Sequence, residues 1–90
     1  MTCEGYEIVA DFGNKIGTVD VYYNSINEYR EALTNFKNLS ESREKFNKLT
    51  PFGLMYKNCK LEALTLVKSS WENGNLISEE VIKQATNINW

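Results

Sequence analysis

Surface chemistry depends on a few side-chain types, and this sequence lacks most of them. It contains two cysteines, Cys3 and Cys59, twelve acidic residues and no histidine. The commonest general base, the commonest metal ligand and the usual partner of a serine or cysteine nucleophile are therefore missing. Two widely spaced cysteines cannot supply a tetrahedral zinc site. Gly13 and Gly17 flank a turn, but a phosphate loop needs G-x-x-x-x-G-K-[ST] running into a helix. Glu79 and Glu80 are adjacent, so on a helix they diverge by about 100° and form no acid–base pair. At a helix start they would complement the positive end of the dipole. The reading is a non-enzymatic protein with no catalytic residue, no metal and no cofactor.

Charge narrows the partners. The net charge is −2, whereas a nucleic-acid module usually advertises a basic face. The distribution is uneven. Glu4, Glu7 and Asp11 make the start acidic, and Glu72, Glu79 and Glu80 do the same near the end. Between them Arg43, Lys45, Lys48, Lys57 and Lys60 face only Glu44, with Phe46, Phe52 and Tyr56 interleaved. Phosphate contacts with base stacking would use such a pattern, so weak nucleic-acid binding through residues 43–60 is the alternative function. Against it, periodicity places Phe52 and Tyr56 on a buried helix face. The excess of Lys over Arg and the abundant Asn suit an AT-rich coding sequence, as in some bacteria and their phages.

Two cysteines make no disulfide framework, and Cys59 reads as a small buried hydrophobe. No signal peptide, apolar run near 18 residues or lipidation motif is visible. The expected setting is cytoplasmic, with no membrane.

Ninety residues suit one small domain. Its first element is a hairpin. Tyr6, Ile8, Ala10 and Phe12 alternate with Glu7, Val9 and Asp11, and Gly17–Tyr23 alternates again. Phe12 opposite Gly17 gathers Tyr6, Ile8, Ala10, Phe12, Val19, Val21 and Tyr23 on one face and turns Tyr22 outward. Ser25-Ile26-Asn27-Glu28 is a capping box, opening an amphipathic helix with Tyr29, Ala32, Leu33 and Phe36 inward. A break near Ser40 and a short helix to about Lys48 should follow; one continuous helix to Leu49 is the alternative.

The longest capped stretch is Thr50–Gly74. Thr50 can cap it, Pro51 suits the first helical position, Leu49 and Leu54 form a staple, and Gly74 can end it. At about 100° per residue two apolar stripes emerge: Phe52, Met55, Tyr56, Cys59, Ala63, Leu66 and Val67, and then Leu54, Leu61, Leu64 and Trp71. Ser78 caps a last helix with Val81, Ile82, Ala85 and Ile88 on one face, fraying from Asn87. The expected fold is α+β: an N-terminal two-stranded antiparallel hairpin packed on three or four helices, with a central helix at about 50–73. Residues 61–67 have some β character, and as a strand they would enlarge the sheet towards a β-grasp-like arrangement.

The function expected is a protein-binding module acting as inhibitor, adaptor or regulator. The candidate surface is the second stripe, Leu54, Leu61, Leu64 and Trp71, together with Tyr22. A homodimer through that stripe or the hairpin edge is the alternative assembly. Partner identity is not written in the residues.

Overall fold

Strand β1 (Thr2–Asp11) owes its form to strict alternation, and it becomes the centre of a larger sheet than the sequence suggests. The computed structural model describes residues 2–13, 15–24, 28–86 and 88. After β1 come β2 (Thr18–Asn24), α1 (Tyr29–Glu41), α2 (Arg43–Leu49), α3 (Phe52–Met55), β3 (Ala63–Glu72) and β4 (Asn75–Thr86). The four strands form one antiparallel sheet in the order β2-β1-β3-β4. The helical segment crosses one face of it between β2 and β3, which run parallel because both oppose β1.

The expected helix over 50–73 does not form. Thr50 does start a turn, its Oγ1 accepting from the Phe52 N–H at 3.3 Å, but α3 ends at Met55. Residues 63–72 are instead β3, paired with β1 along ten positions from Thr2↔Glu72 to Asp11↔Ala63. The expected helix after Ser78 is β4. Gly74 ends no helix: Asn73 and Gly74 both have positive φ, 53° and 82°, as a two-residue type I′ hairpin turn requires. Glu72 pairs with Asn75 across it. Leu64-Thr65-Leu66-Val67 satisfies both helical and extended patterns, and the long register with β1 decides for strand.

The other helices follow local signals. α1 stops at Glu41, and Ser42 caps α2 by accepting from the Lys45 N–H at 3.1 Å, so residues 29–49 form two helices. Ser25, Ile26 and Asn27 of the expected capping box lie outside the described residues; Glu28 precedes α1 in extended conformation without a side-chain cap. The N-terminal hairpin keeps Phe12 opposite Gly17, the Phe12 N–H donating to the Gly17 carbonyl at 3.0 Å.

The core lies between the helices and one sheet face. Tyr6, Ile8 and Ala10 of β1 and Leu64 and Leu66 of β3 meet Ala32, Phe36, Leu39 and Phe46 of α1 and α2. Ile88 joins this cluster, so the chain is still anchored beyond Asn87, where fraying was expected; Asn87 itself, Asn89 and Trp90 lie outside the described residues.

Between α3 and β3 the backbone forms no regular element, and Arg43 holds it. Its Nη1 donates to the Cys59 carbonyl at 3.1 Å, its Nη2 to the Gly53 and Tyr56 carbonyls at 3.0 Å, and its Nε to Asn47 Oδ1 at 3.1 Å. The guanidinium also lies 5.8 Å from the Phe12 ring centroid and 5.6 Å from that of Phe46, within cation–π range. Charge-assisted bonds are worth about 1.5–3 kcal/mol each. We expect Arg43→Ala to lose on the order of 3 kcal/mol in urea unfolding. Arg43→Lys should recover only part, since one ammonium cannot reproduce the fork; an unchanged midpoint in both would remove the hub. Gly53 is buried against α2: a Cβ there would collide with the Asn47 side chain and approach the Asn47 Cα to 2.7 Å. Gly53→Ala should therefore lower stability by about 1–3 kcal/mol in the same assay.

Candidate interaction surface

Alternation along β1 buries Tyr6, Ile8 and Ala10 and turns Cys3, Gly5, Glu7, Val9 and Asp11 to the opposite face, against which none of the described helices packs. The register gives that open face its rows. Tyr23, Glu7, Val67 and Val81 lie side by side, and Asp20, Val9, Thr65 and Gln84 form the next row. On the other side come Gly5, Ser69 and Glu79, then Cys3, Trp71 and Leu76. The cations of the strands, Lys68 and Lys83, belong to the helical face. Lys68 Nζ lies 3.4 Å from Glu4 Oε2, and Lys83 Nζ lies 5.9 Å from the Phe36 ring centroid.

On this face β1 carries no side chain between Cys3 and Glu7, because Gly5 stands there. Over this gap runs a groove of about 470 Å³, lined among the described residues by Cys3, Glu7, Tyr23, Trp71 and Gly74. Among the described residues, two polar atoms on the open face are buried with no hydrogen-bond partner, Trp71 Nε1 and Ser69 Oγ. Ser69 is 0% exposed. A buried polar group left unpaired costs about 1–3 kcal/mol, so two on one face of a small domain require a reason.

Glu7 is strained as a carboxylate. Burial raises its pKa above the ordinary 4.5, and the charges of Asp20 and Glu79 raise it further.

The residues proposed from sequence do not come together. Leu61 and Leu64 are core, 2% and 0% exposed, because the strand that replaces the helix turns Leu64 under the helices. Leu54 is exposed on α3. Trp71 is on the open face, on the other side of the sheet from Leu64. Tyr22 is not turned outward: β2 carries one extra residue, Val21, between the pairs Val9↔Asp20 and Ile8↔Tyr22. A bulge reverses the facing of every later residue, so Tyr22 packs towards the core and Tyr23 is exposed. Glu79 and Glu80 stand on β4, so neither has a helix end to complement.

The basic segment is largely occupied. Arg43 points inward, Lys45 Nζ meets Glu41 Oε2 at 2.7 Å, and Lys48 Nζ meets Glu44 Oε1 at 3.3 Å; Lys45 holds the Glu41 carboxyl below its ordinary pKa. Lys57 and Lys60 are exposed. Phe46 is core, and Phe52 and Tyr56 stack on each other at 6.1 Å, half-buried. Both thiols are free, Cys3 exposed and Cys59 half-buried.

Glu7, Tyr23, Asp20 and Glu79 were not singled out as site residues, although the outward alternation of Glu7 and Asp20 was readable. Among the described residues no group of three or more acidic or cysteine side chains could hold a metal ion. No helix there is long and apolar enough to cross a membrane. Comparison with family models, with curated proteins and with solved structures finds no match.

The raised pKa of Glu7 makes a prediction about stability. An acid whose folded pKa lies above its unfolded value contributes most below the ordinary value, and stability falls as pH rises through the folded pKa. The charged groups facing Glu7 are Asp20 from β2 and Glu79 from β4; β3 presents Val67 and Ser69. Glu7→Gln should raise the urea midpoint at neutral pH and flatten its decline above about pH 4.5. A lower midpoint at neutral pH would mean that Glu7 is favourably paired.

Proposed function

We propose that the chain is a non-enzymatic protein-binding module, an inhibitor, adaptor or regulator in type, that docks a protein partner on the open face of its sheet. The observation that carries this reading is the face itself. It exposes apolar Val81 and Leu76 beside carboxylates that no strand cation balances, and it buries two polar atoms without partners. A partner with apolar and basic groups would cover the first, neutralise the second and hydrogen-bond the third.

The sheet edges serve less well for assembly. β4 is long, but it carries two extra residues, Ile77 and Ile82, at register shifts against β3, with Glu79, Glu80 and Lys83 between and beside them. Bulges and charge are the features that blunt an edge against another strand. No observation favours the nucleic-acid reading, since Arg43 is engaged within the fold and Lys45 and Lys48 are paired.

The test uses two exposed residues on opposite sides of the molecule, Val81 on the open face at 62% exposure and Leu54 on the helical side at 64%. Binders are selected from a displayed peptide library against the native chain, and then measured against Val81→Lys and Leu54→Lys. Val81→Lys should reduce affinity at least tenfold and Leu54→Lys should leave it unchanged, with both variants unfolding at the native midpoint. The reverse pattern would place docking on the helices and overturn the reading.

A further inference from the structure

We propose that the groove beside Trp71 receives one arginine side chain of the protein partner, its guanidinium paired with the Glu7 carboxylate and bordered by the Tyr23 and Trp71 rings. This inference rests on the docking reading above and names the anchor within it. Three features of the groove agree on the ligand. First, its charge calls for a cation: Asp20 and Glu79 lie close enough to Glu7 to disfavour its ionisation, while the strand cations are on the other face. Second, the cation is organic, because the described carboxylates do not converge on a metal position. Third, the walls are two aromatic side chains, and a guanidinium is planar, weakly hydrated and stacks on such rings, whereas an ammonium is a compact, strongly hydrated point charge. The volume of about 470 Å³ is ample for one long side chain and lies within the usual range of ligand sites.

The anchor also gives the strained carboxylate a purpose. In the free protein Glu7 is charged at a cost to stability; once paired with a cation, the same charge becomes the strongest contact in the groove.

The experiment follows the indole N–H resonance of Trp71, assigned with Trp71→Phe, in the ¹⁵N-labelled full chain. The probes are three blocked tripeptides, acetyl-Ala-X-Ala-amide, with X arginine, lysine or citrulline. The arginine peptide should shift that resonance saturably at millimolar concentration. Citrulline, of the same shape but neutral, should bind at least tenfold more weakly, and lysine should fall between. Glu7→Gln should reduce arginine binding at least tenfold while raising the unfolding midpoint, a pair of effects that a merely damaged fold cannot produce. Tyr23→Ala, at a 56% exposed position, should weaken arginine binding severalfold with the fold intact. Equal shifts from arginine and citrulline, undiminished binding by Glu7→Gln, or no saturable shift would overturn the anchor. If the arginine peptide fails while Val81→Lys still abolishes capture of the selected binder, the anchor falls and docking on the open face stands. If both fail, both readings fall.

Discussion

The fold depends on one side chain satisfying backbone that no regular element satisfies. Between α3 and β3 the chain must leave the helical layer and enter the sheet, and its carbonyls there have no ladder or helix to accept from. Arg43 donates to two of them, at Tyr56 and Cys59, and to the Gly53 carbonyl within α3, from a position on α2 set by the Ser42 cap. Its guanidinium also lies within cation–π range of the Phe12 ring, just after β1, and of the Phe46 ring on α2. Helix, loop and first strand are thus tied at one point, and β3 leaves it directly in register with β1. A residue that looked like part of a basic surface is internal wiring, because a guanidinium offers enough donors in a fixed fork to serve several carbonyls at once.

From that point the sheet acquires two unlike faces. The helical face is closed by Phe36, Leu39 and Phe46 over Ile8, Leu64 and Leu66, all buried. The other keeps Tyr23, Trp71 and Val81 beside Glu7, Asp20 and Glu79. Such a division is ordinary for an antiparallel sheet, which can leave one side to solvent. This open side departs from a plain solvent face in three respects: a groove over Gly5, polar atoms buried without partners, and a carboxylate kept among like charges. Each costs the isolated domain some stability. Such costs are the usual mark of a surface shaped by something other than folding.

Bulges decide which residues reach that surface. The three extra residues implied by the register, Val21, Ile77 and Ile82, all lie on the edge strands β2 and β4. Edge strands accommodate them because their outer side carries no neighbour to disrupt. The first exchanges Tyr22 for Tyr23 on the open face. The others irregularly twist a long edge that would otherwise invite a second strand. The same devices that supply the aromatic wall therefore also restrain association through the edges.

What the sequence determined by itself was local: the alternation of β1, the Phe12–Gly17 closure of the first hairpin, the amphipathic α1, the break before α2 and the Thr50 turn. Each follows from hydrogen bonds or side-chain spacing within a few residues. The core half of the first hairpin was legible too, in Tyr6, Ile8 and Ala10, and so was the outward facing of Glu7 and Asp20. The second half of the fold was not, although Asn73-Gly74 between two alternating runs was the one local signal for a hairpin there. Leu61–Trp71 repeats its apolar residues at intervals that suit a helix, and a short run of Leu, Thr and Val suits a strand as well. Only tertiary structure could choose, because the free energy that favours the strand comes from ten paired positions on β1, some sixty residues away in sequence. That choice moved Leu61 and Leu64 into the core, placed Trp71 on the opposite side of the sheet, and brought Glu7, Tyr23 and Glu79 together from three different strands.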